Sequence, residues 1–126
     1  DPNRKIGRKN SVFYDSSFNP FRRSAIYPNG SISQLWKGKK VVSERSVRQL
    51  EKMINLKKRG IKFIMLFIVN RDDCIIFKPN WQRDPIYSAY LKRAYNVGID
   101  IIALRLSWNG NKCYFDDSIK IDLKKW

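Results

Sequence analysis

Histidine is absent from the 126 residues. That removes Ser-His-Asp triads, Cys-His nucleophile pairs and His-containing zinc sites together. Cysteine occurs twice, as Cys74 and Cys113. Two thiols are too few for a disulfide framework and lack the CxxC spacing of a zinc site, so reduced thiols in an intracellular setting are expected. Alanine is scarce, with 4 residues against 15 Ile and 15 Lys, a bias that suits an AT-rich coding genome such as that of an organelle, a parasite or an endosymbiont. No apolar run reaches the roughly 20 residues of a membrane span, and no signal-peptide stretch lies near Asp1. A start at Asp1 fits a removed presequence or part of a longer chain. There is no Walker loop and no GxGxxG, so no cofactor is expected. Acid is in shortest supply: 11 Asp and Glu stand against 26 Lys and Arg, for a net charge of +15.

What is present supports a folded protein. Hydrophobic residues make up 43% and aromatic residues 13%, above the range of disordered chains. The length suits one domain with a real core. A large positive charge favours a polyanionic partner, nucleic acid before an anionic membrane. Residues 1–60 carry 15 basic and 4 acidic residues, net +11, whereas residues 61–126 carry 11 and 7, net +4.

Ile61–Val69 is apolar at eight of nine positions. It reads as a strand buried on both faces, of the kind found at the centre of a parallel or mixed sheet. Before it, Ser43 suits an N-cap and Gly60 a C′ position, which predicts a helix over Glu44–Arg59 with Val47, Leu50 and Ile54 as its apolar stripe. After it come a short apolar piece, Ile75–Phe77, and a second helix that Asp84 caps and Pro85 opens. Tyr87, Tyr90, Leu91, Ala94 and Tyr95 form that helix's apolar face, and Gly98 ends it. A strand over Ile99–Leu106 follows, so a parallel strand–helix–strand pairing is expected. Asn109-Gly110 signals a hairpin, with short strands at Lys112–Phe115 and Ile119–Leu123. Residues 1–24 read as a basic arm and loop, with a short strand at Val12–Tyr14. The arm is either a disordered tail or a segment lying on phosphates. The folded domain is 25–126.

The candidate nucleic-acid residues are Arg22 and Arg23 of the loop, Trp36, Lys37, Lys39 and Lys40 of a basic cluster, and Arg45, Arg48 and Lys52 of the first helix. Lysines beside a Trp can hold phosphates while the ring stacks on a base. The alternative is a Trp that anchors its loop while the lysines are merely solvated. Lys57, Lys58 and Arg59 complement the helix dipole in the last turn. The remaining chemistry open to the chain is carboxylate-held Mg²⁺ hydrolysis. Asp72-Asp73 and Asp116-Asp117 are the paired acids, both placed in turns, and no metal site is expected from them.

Several spaced residues carry a resemblance. They are Ala25-Ile26-Tyr27-Pro28-Asn29, Val42–Leu50, Gly60, Leu66–Arg71, Phe77, Pro79-Asn80, Asp84-Pro85, Ala94, Gly98-Ile99 and Ile102–Arg105. Over residues 25–123 the chain resembles the sugar fermentation stimulation protein family, SfsA. The resemblance implies an α/β fold, a mixed β-sheet flanked by helices of the PD-(D/E)XK nuclease-like class, and a nucleic-acid partner. It also marks departures. Phe13 and Asp15 fall where the family's E-x-K signature is expected, Asn29 where it has Asp, and Gln49 where it has His. Glu44, Arg45 and Arg48 match. An insertion lies between Asn29 and Val42, and the family's N-terminal OB-like domain is not in the sequence.

The expectation is therefore a catalytically inactive, nuclease-like protein that binds nucleic acid, RNA ahead of DNA. It would serve as a structural part of a ribonucleoprotein, such as a mitochondrial ribosome, beside neighbouring proteins. A Mg²⁺-dependent SfsA-type endonuclease and a DNA-binding regulator are the alternatives.

Overall fold

In the computed structural model, residues 6, 7, 12–15 and 22–126 are described, with side chains from Ser24 onward. Eleven strands and helices follow in order: β1 (Ile6–Gly7), β2 (Val12–Asp15), β3 (Arg22–Tyr27), β4 (Gln34–Trp36), β5 (Lys39–Val41), α1 (Glu44–Lys58), β6 (Ile64–Val69), β7 (Ile76–Pro79), α2 (Pro85–Asn96), β8 (Asp100–Asn109) and β9 (Lys112–Ile121). The fold is the expected mixed α/β class. The chain divides into two compact units. One holds the residues before Pro28 together with Leu66–Lys78 and Ile102–Asp122, and the other holds Pro28–Met65, Pro79–Ile101 and Leu123–Trp126.

The first unit holds most of the seven-stranded sheet. Its strands run in the order β1-β2-β3-β7-β9-β8-β6. β1, β2 and β3 form antiparallel neighbours, with Val12 opposite Ala25 and Asp15 opposite Arg22. β7 and β9 are parallel, with Ile76 opposite Lys120. β8 and β9 form a hairpin closed by Asn109 and Lys112, as Asn109-Gly110 predicted. Ala25, Ile26, Val69, Cys74, Ile76, Phe77 and Ala103 are buried. Phe67 stacks on Phe77 at 4.3 Å and meets Tyr27 at 5.7 Å.

Three expectations change here. First, β6 is the end strand of the sheet, not a central one. It alternates: Ile64, Leu66 and Ile68 are exposed while Val69 is buried. Apolar composition on both faces could not show that only one neighbour would pair with it. Second, the parallel partner of β7 is β9, and β8, the strand that follows α2, lies between β9 and β6. A long final strand, able to insert between the two, makes that possible. Third, Lys112–Ile121 is one strand of ten residues. Asp116 and Asp117 lie within it and not in a turn. Asp117 sits opposite Arg105 with a bulge beside that pair, and the Arg105 guanidinium pairs with Asp116, so an opposite charge on the neighbouring strand offsets a residue type that strands disfavour.

The second unit holds both helices. Ser43 accepts from Ser46 N at 3.2 Å, and Gln34 Oε1 accepts from Glu44 N at 2.8 Å. Two of the otherwise unpaired N–H groups at the start of α1 are thereby satisfied. Val47, Leu50 and Ile54 are buried, as their spacing predicted. At the C-terminal end, Gly60 N donates to Lys57 O and Ile61 N to Leu56 O. This is a Schellman closure, and Gly60 takes its required positive φ of 94°. α2 closes in the same way: Gly98 N donates to Tyr95 O and Ile99 N to Ala94 O, with Gly98 at φ 98°. Lys57 lies against Gly98, where an added Cβ would come within 3.3 Å of its Cε. Its stem covers the end of α2 and its charge complements that helix terminus. Tyr87, Leu91 and Ala94 are buried, but Tyr95 is 58% exposed and does not join the core face of α2. At 3.6 residues per turn its direction lies past the edge of the stripe that Tyr87, Leu91 and Ala94 define.

Candidate nucleic-acid interface

The site begins with a hairpin that the sequence did not announce. β4 and β5 pair with Trp36 opposite Lys39 and Leu35 opposite Lys40. Lys37 and Gly38 make the turn with φ of 49° and 81°, both positive as a two-residue turn of the primed kind requires. Lys-Gly is a weaker hairpin signal than Asn-Gly, and Gln34–Val41 has no clear alternation. The hairpin is tied down by its aromatic residue. Trp36 Nε1 donates to Tyr90 Oη at 3.2 Å, with the rings edge-on at 6.2 Å. Tyr90 Oη donates to Glu51 Oε2 at 3.2 Å, and Lys37 Nζ donates to the same oxygen at 2.7 Å. Arg93 lies over the Tyr90 ring at 4.8 Å.

The hydrogen bond from Lys37 holds the Glu51 carboxyl below its ordinary pKa, helped by the Tyr90 hydroxyl. The same bond raises the Lys37 ammonium. These contacts tie Trp36 to α2. Its ring edge and N–H are engaged within the unit, and Lys37 is committed to an ion pair. No spacing in the sequence links Trp36 to Tyr90, 54 positions away.

The other residues chosen from sequence divide clearly. Lys39 and Lys40 are exposed on β5. Arg45, Arg48 and Lys52 are exposed on α1, where Arg48 meets Glu44 at 3.5 Å. Arg59, exposed at the helix end, extends the same face. Arg45, Lys52 and Arg59 repeat every seven residues, two helical turns, so they form a cationic stripe about 21 Å long. Arg22 and Arg23 lie in β3, and their side chains fall outside the described residues, as does most of the basic arm.

The residues carrying the resemblance are largely structural ties. Asp84, buried, accepts from Tyr87 N at 2.8 Å and from Val42 N at 2.9 Å. Asn80 donates to Pro28 O at 3.1 Å and accepts from Arg83 N at 3.1 Å. Its Nδ2 also reaches Asn29 Oδ1 at 3.3 Å, while Asn29 Nδ2 is buried without a partner. Position 29 therefore offers a neutral amide whose oxygen is already engaged. Among the described residues no three Asp, Glu or Cys side chains gather closely enough to hold a metal ion. In the sheet unit, a cleft of about 220 Å³ is lined by Asn70, Arg71, Asp72, Asp73, Leu106 and Trp108. Its cation, Arg71, is paired with Asp73, and Asp72 accepts from Ser107 Oγ at 3.3 Å.

The profile of the Sugar fermentation stimulation protein RE domain, the SfsA family, matches residues 40–112, more than half of the chain. The chain belongs to this family. The SfsA homolog of Sulfolobus acidocaldarius is 35% identical over 79 residues, covering 63% of this chain and 35% of the relative. The homolog of Carboxydothermus hydrogenoformans is 34% identical over 79 residues, covering 63% and 34%. The chain thus spans about a third of the length of the curated relatives it matches. The structure of Pyrococcus furiosus SfsA in complex with Ca²⁺ matches with a TM-score of 0.67 at 24% identity, over 79% of this chain and 38% of that one. The likeness establishes the nuclease-like fold. At Asn29 the described residues supply a neutral amide and no gathered set of three carboxylates or thiols.

Proposed function

We propose that the chain binds nucleic acid through the exposed cationic face of α1 and the adjoining β5 lysines, and does not cut it. One observation carries the reading. Arg45, Lys52 and Arg59 line a single helix face, and among the described residues Arg48 alone of the exposed cations there is matched to a carboxylate. They belong to a unit that holds 15 basic and 4 acidic residues, net +11. Such a surface neutralises phosphates, releases their counterions and binds with little regard to sequence. The contacts come from a rigid helix, so the cations are placed before the ligand arrives and little side-chain ordering is added beyond their own.

The absence of cutting is supported by Asn29, whose neutral amide supplies no charge for a metal-bound water. A preference for RNA and a place in a ribonucleoprotein rest on the charge and the codon-type bias alone. The test is the salt dependence of binding to labelled duplex DNA, single-stranded RNA and structured RNA, with and without Mg²⁺. Replacing Arg45 and Lys52 by Gln should flatten the plot of log affinity against log salt by about 0.9 per residue for duplex and about 0.7 for single strands. An unchanged slope would remove α1 from the interface. Cleavage that requires Mg²⁺ and vanishes in Glu44→Ala would replace this reading with the SfsA-type nuclease, and sequence-selective binding to duplex DNA would favour the regulator.

A further inference from the structure

The strand β6 ends the sheet, and among the described residues only β8 lies beside it. Its outer edge therefore presents backbone N–H and C=O groups without a neighbouring strand. Sheet edges are commonly protected by a lysine, a proline or a bulge. Ile64-Met-Leu-Phe-Ile-Val69 contains neither lysine nor proline. The flanking charges, Lys62 and Arg71, both lie outside the strand. One side of the strand is open as well: Ile64 is 67% exposed, Leu66 50% and Ile68 49%.

The pattern is also symmetric. Ile64, Leu66 and Ile68 read the same in either direction about Leu66. A two-fold interface requires one surface to complement itself. An antiparallel pair centred on Leu66 meets that requirement. It sets Leu66 against its own symmetry mate and Ile64 against the partner's Ile68, on the same side of the joined sheet. Charge points the same way. In a chain of net charge +15, a nucleic acid or an acidic protein is drawn to the lysines and arginines, and β6 has none to offer. An uncharged strand of equal length and alternating pattern fits this edge, and a second copy supplies it.

We propose that the chain self-associates through β6, two copies pairing these strands antiparallel about Leu66. The two copies repel each other through their net charge, so added salt strengthens the pairing by screening. That is the opposite sign to the salt dependence of phosphate binding, and the two interactions separate in one titration. The inference does not depend on the nucleic-acid reading.

The test is sedimentation equilibrium of the full chain, freed of nucleic acid, across the micromolar range at low and high salt. A monomer–dimer equilibrium that tightens with salt is expected. Leu66→Lys and Leu66→Glu should each be monomeric with an unchanged far-UV spectrum, because like charges meet at the two-fold. Mixing the two variants should restore a dimer, since opposite charges then face each other. Phe115→Lys, on an exposed residue of β9, should leave dimerisation as it was. If a Leu66 variant fails to fold, Ile64→Lys mixed with Ile68→Glu tests the same register. A monomer at every concentration and salt, whether because a different partner or a further segment of the chain covers the edge, overturns the proposal. So does a Leu66→Lys variant that still dimerises, or a mixture that does not.

Discussion

The two units handle charge in opposite ways. In the helical unit, cations crowd the surface with little acid to match them: 15 basic residues stand against 4 acidic. In the sheet unit, two arginines are each given a carboxylate. Arg71 is paired with Asp73, and Arg105 Nε donates to Asp116 at 2.8 Å while its Nη1 reaches Cys74 O at 2.9 Å. Apolar side chains are exposed in both units: Ile68, Trp108 and Phe115 in the sheet unit and Leu35, Ile64 and Tyr95 in the helical one are each about half exposed or more. An arginine count therefore says little about a polyanion surface until the partner of each arginine is known. Arg105 is half-buried and structural; Arg45 is exposed and uncommitted.

The largest effect that sharpens this comparison is in the helical unit's interior. Asp84→Ala removes the acceptor for two N–H groups, those of Tyr87 and Val42. Loss of an N-cap and of a buried acceptor together should cost about 3 kcal/mol. Chemical denaturation measures it. Asp84→Asn keeps one acceptor oxygen and should recover part of the loss. A variant of Asp84 as stable as the parent would show that the exposed cations stand on a less rigid frame than the geometry indicates.

Next comes the direct contrast between arginines. Arg105→Gln should destabilise the protein by about 2 kcal/mol, since it leaves Asp116 and Cys74 O without their donor, and should leave the salt dependence of nucleic-acid binding as it was. Arg45→Gln should do the reverse: no measurable change in stability and a shallower salt slope. Denaturation and salt titration on both variants check it. If Arg105→Gln flattens the slope as much as Arg45→Gln does, the division of labour between the units fails.

How much of this could be read beforehand depended on the range of the signal. Both helices were legible because Ser43, Asp84, Gly60 and Gly98 punctuate them locally, and Val47, Leu50 and Ile54 repeat at helical spacing. The face of α1 was legible for the same reason. What escaped was set by pairing between distant segments. Whether Ile61–Val69 is central or terminal depends on the position of β8 and β9, and nothing within the nine residues records it. Asp116-Asp117 looks like a turn until Arg105 is placed opposite. Trp36 beside three lysines reads first as a nucleic-acid contact, and nothing near it in the sequence records its hydrogen bond to Tyr90 of α2.

That anchor supplies the next prediction. Trp36→Phe keeps a ring but loses the N–H donated to Tyr90. A small loss of stability, on the order of 1 kcal/mol, should be its whole effect, with the affinity for single-stranded RNA unchanged. Thermal unfolding and a binding isotherm on one preparation compare the two. A variant of full stability and weakened RNA binding would return Trp36 to the role of a stacking platform.

The smallest effect is in the ion pair beneath it. Glu51 is held below the usual carboxylate range by its hydrogen bond from Lys37, and Lys37 is raised by the same bond. A carboxylate depressed by folding lends stability above its unfolded pKa and withdraws it as the pH falls through the folded value. A lysine raised by folding lends stability below its unfolded pKa and withdraws it as the pH rises through the folded one. The pair therefore supports the hairpin across the neutral range, and its share is lost in acid as Glu51 protonates and in strong alkali as Lys37 deprotonates. Both groups sit at the surface, so the gain is slight and screened by salt. Thermal unfolding from neutral to acid pH should fall less steeply in Glu51→Gln than in the parent, with the difference shrinking at high salt. Equal slopes would mean that the hairpin is held by Trp36 and Tyr90 alone, and that Lys37 is as available to phosphate as Lys39 and Lys40.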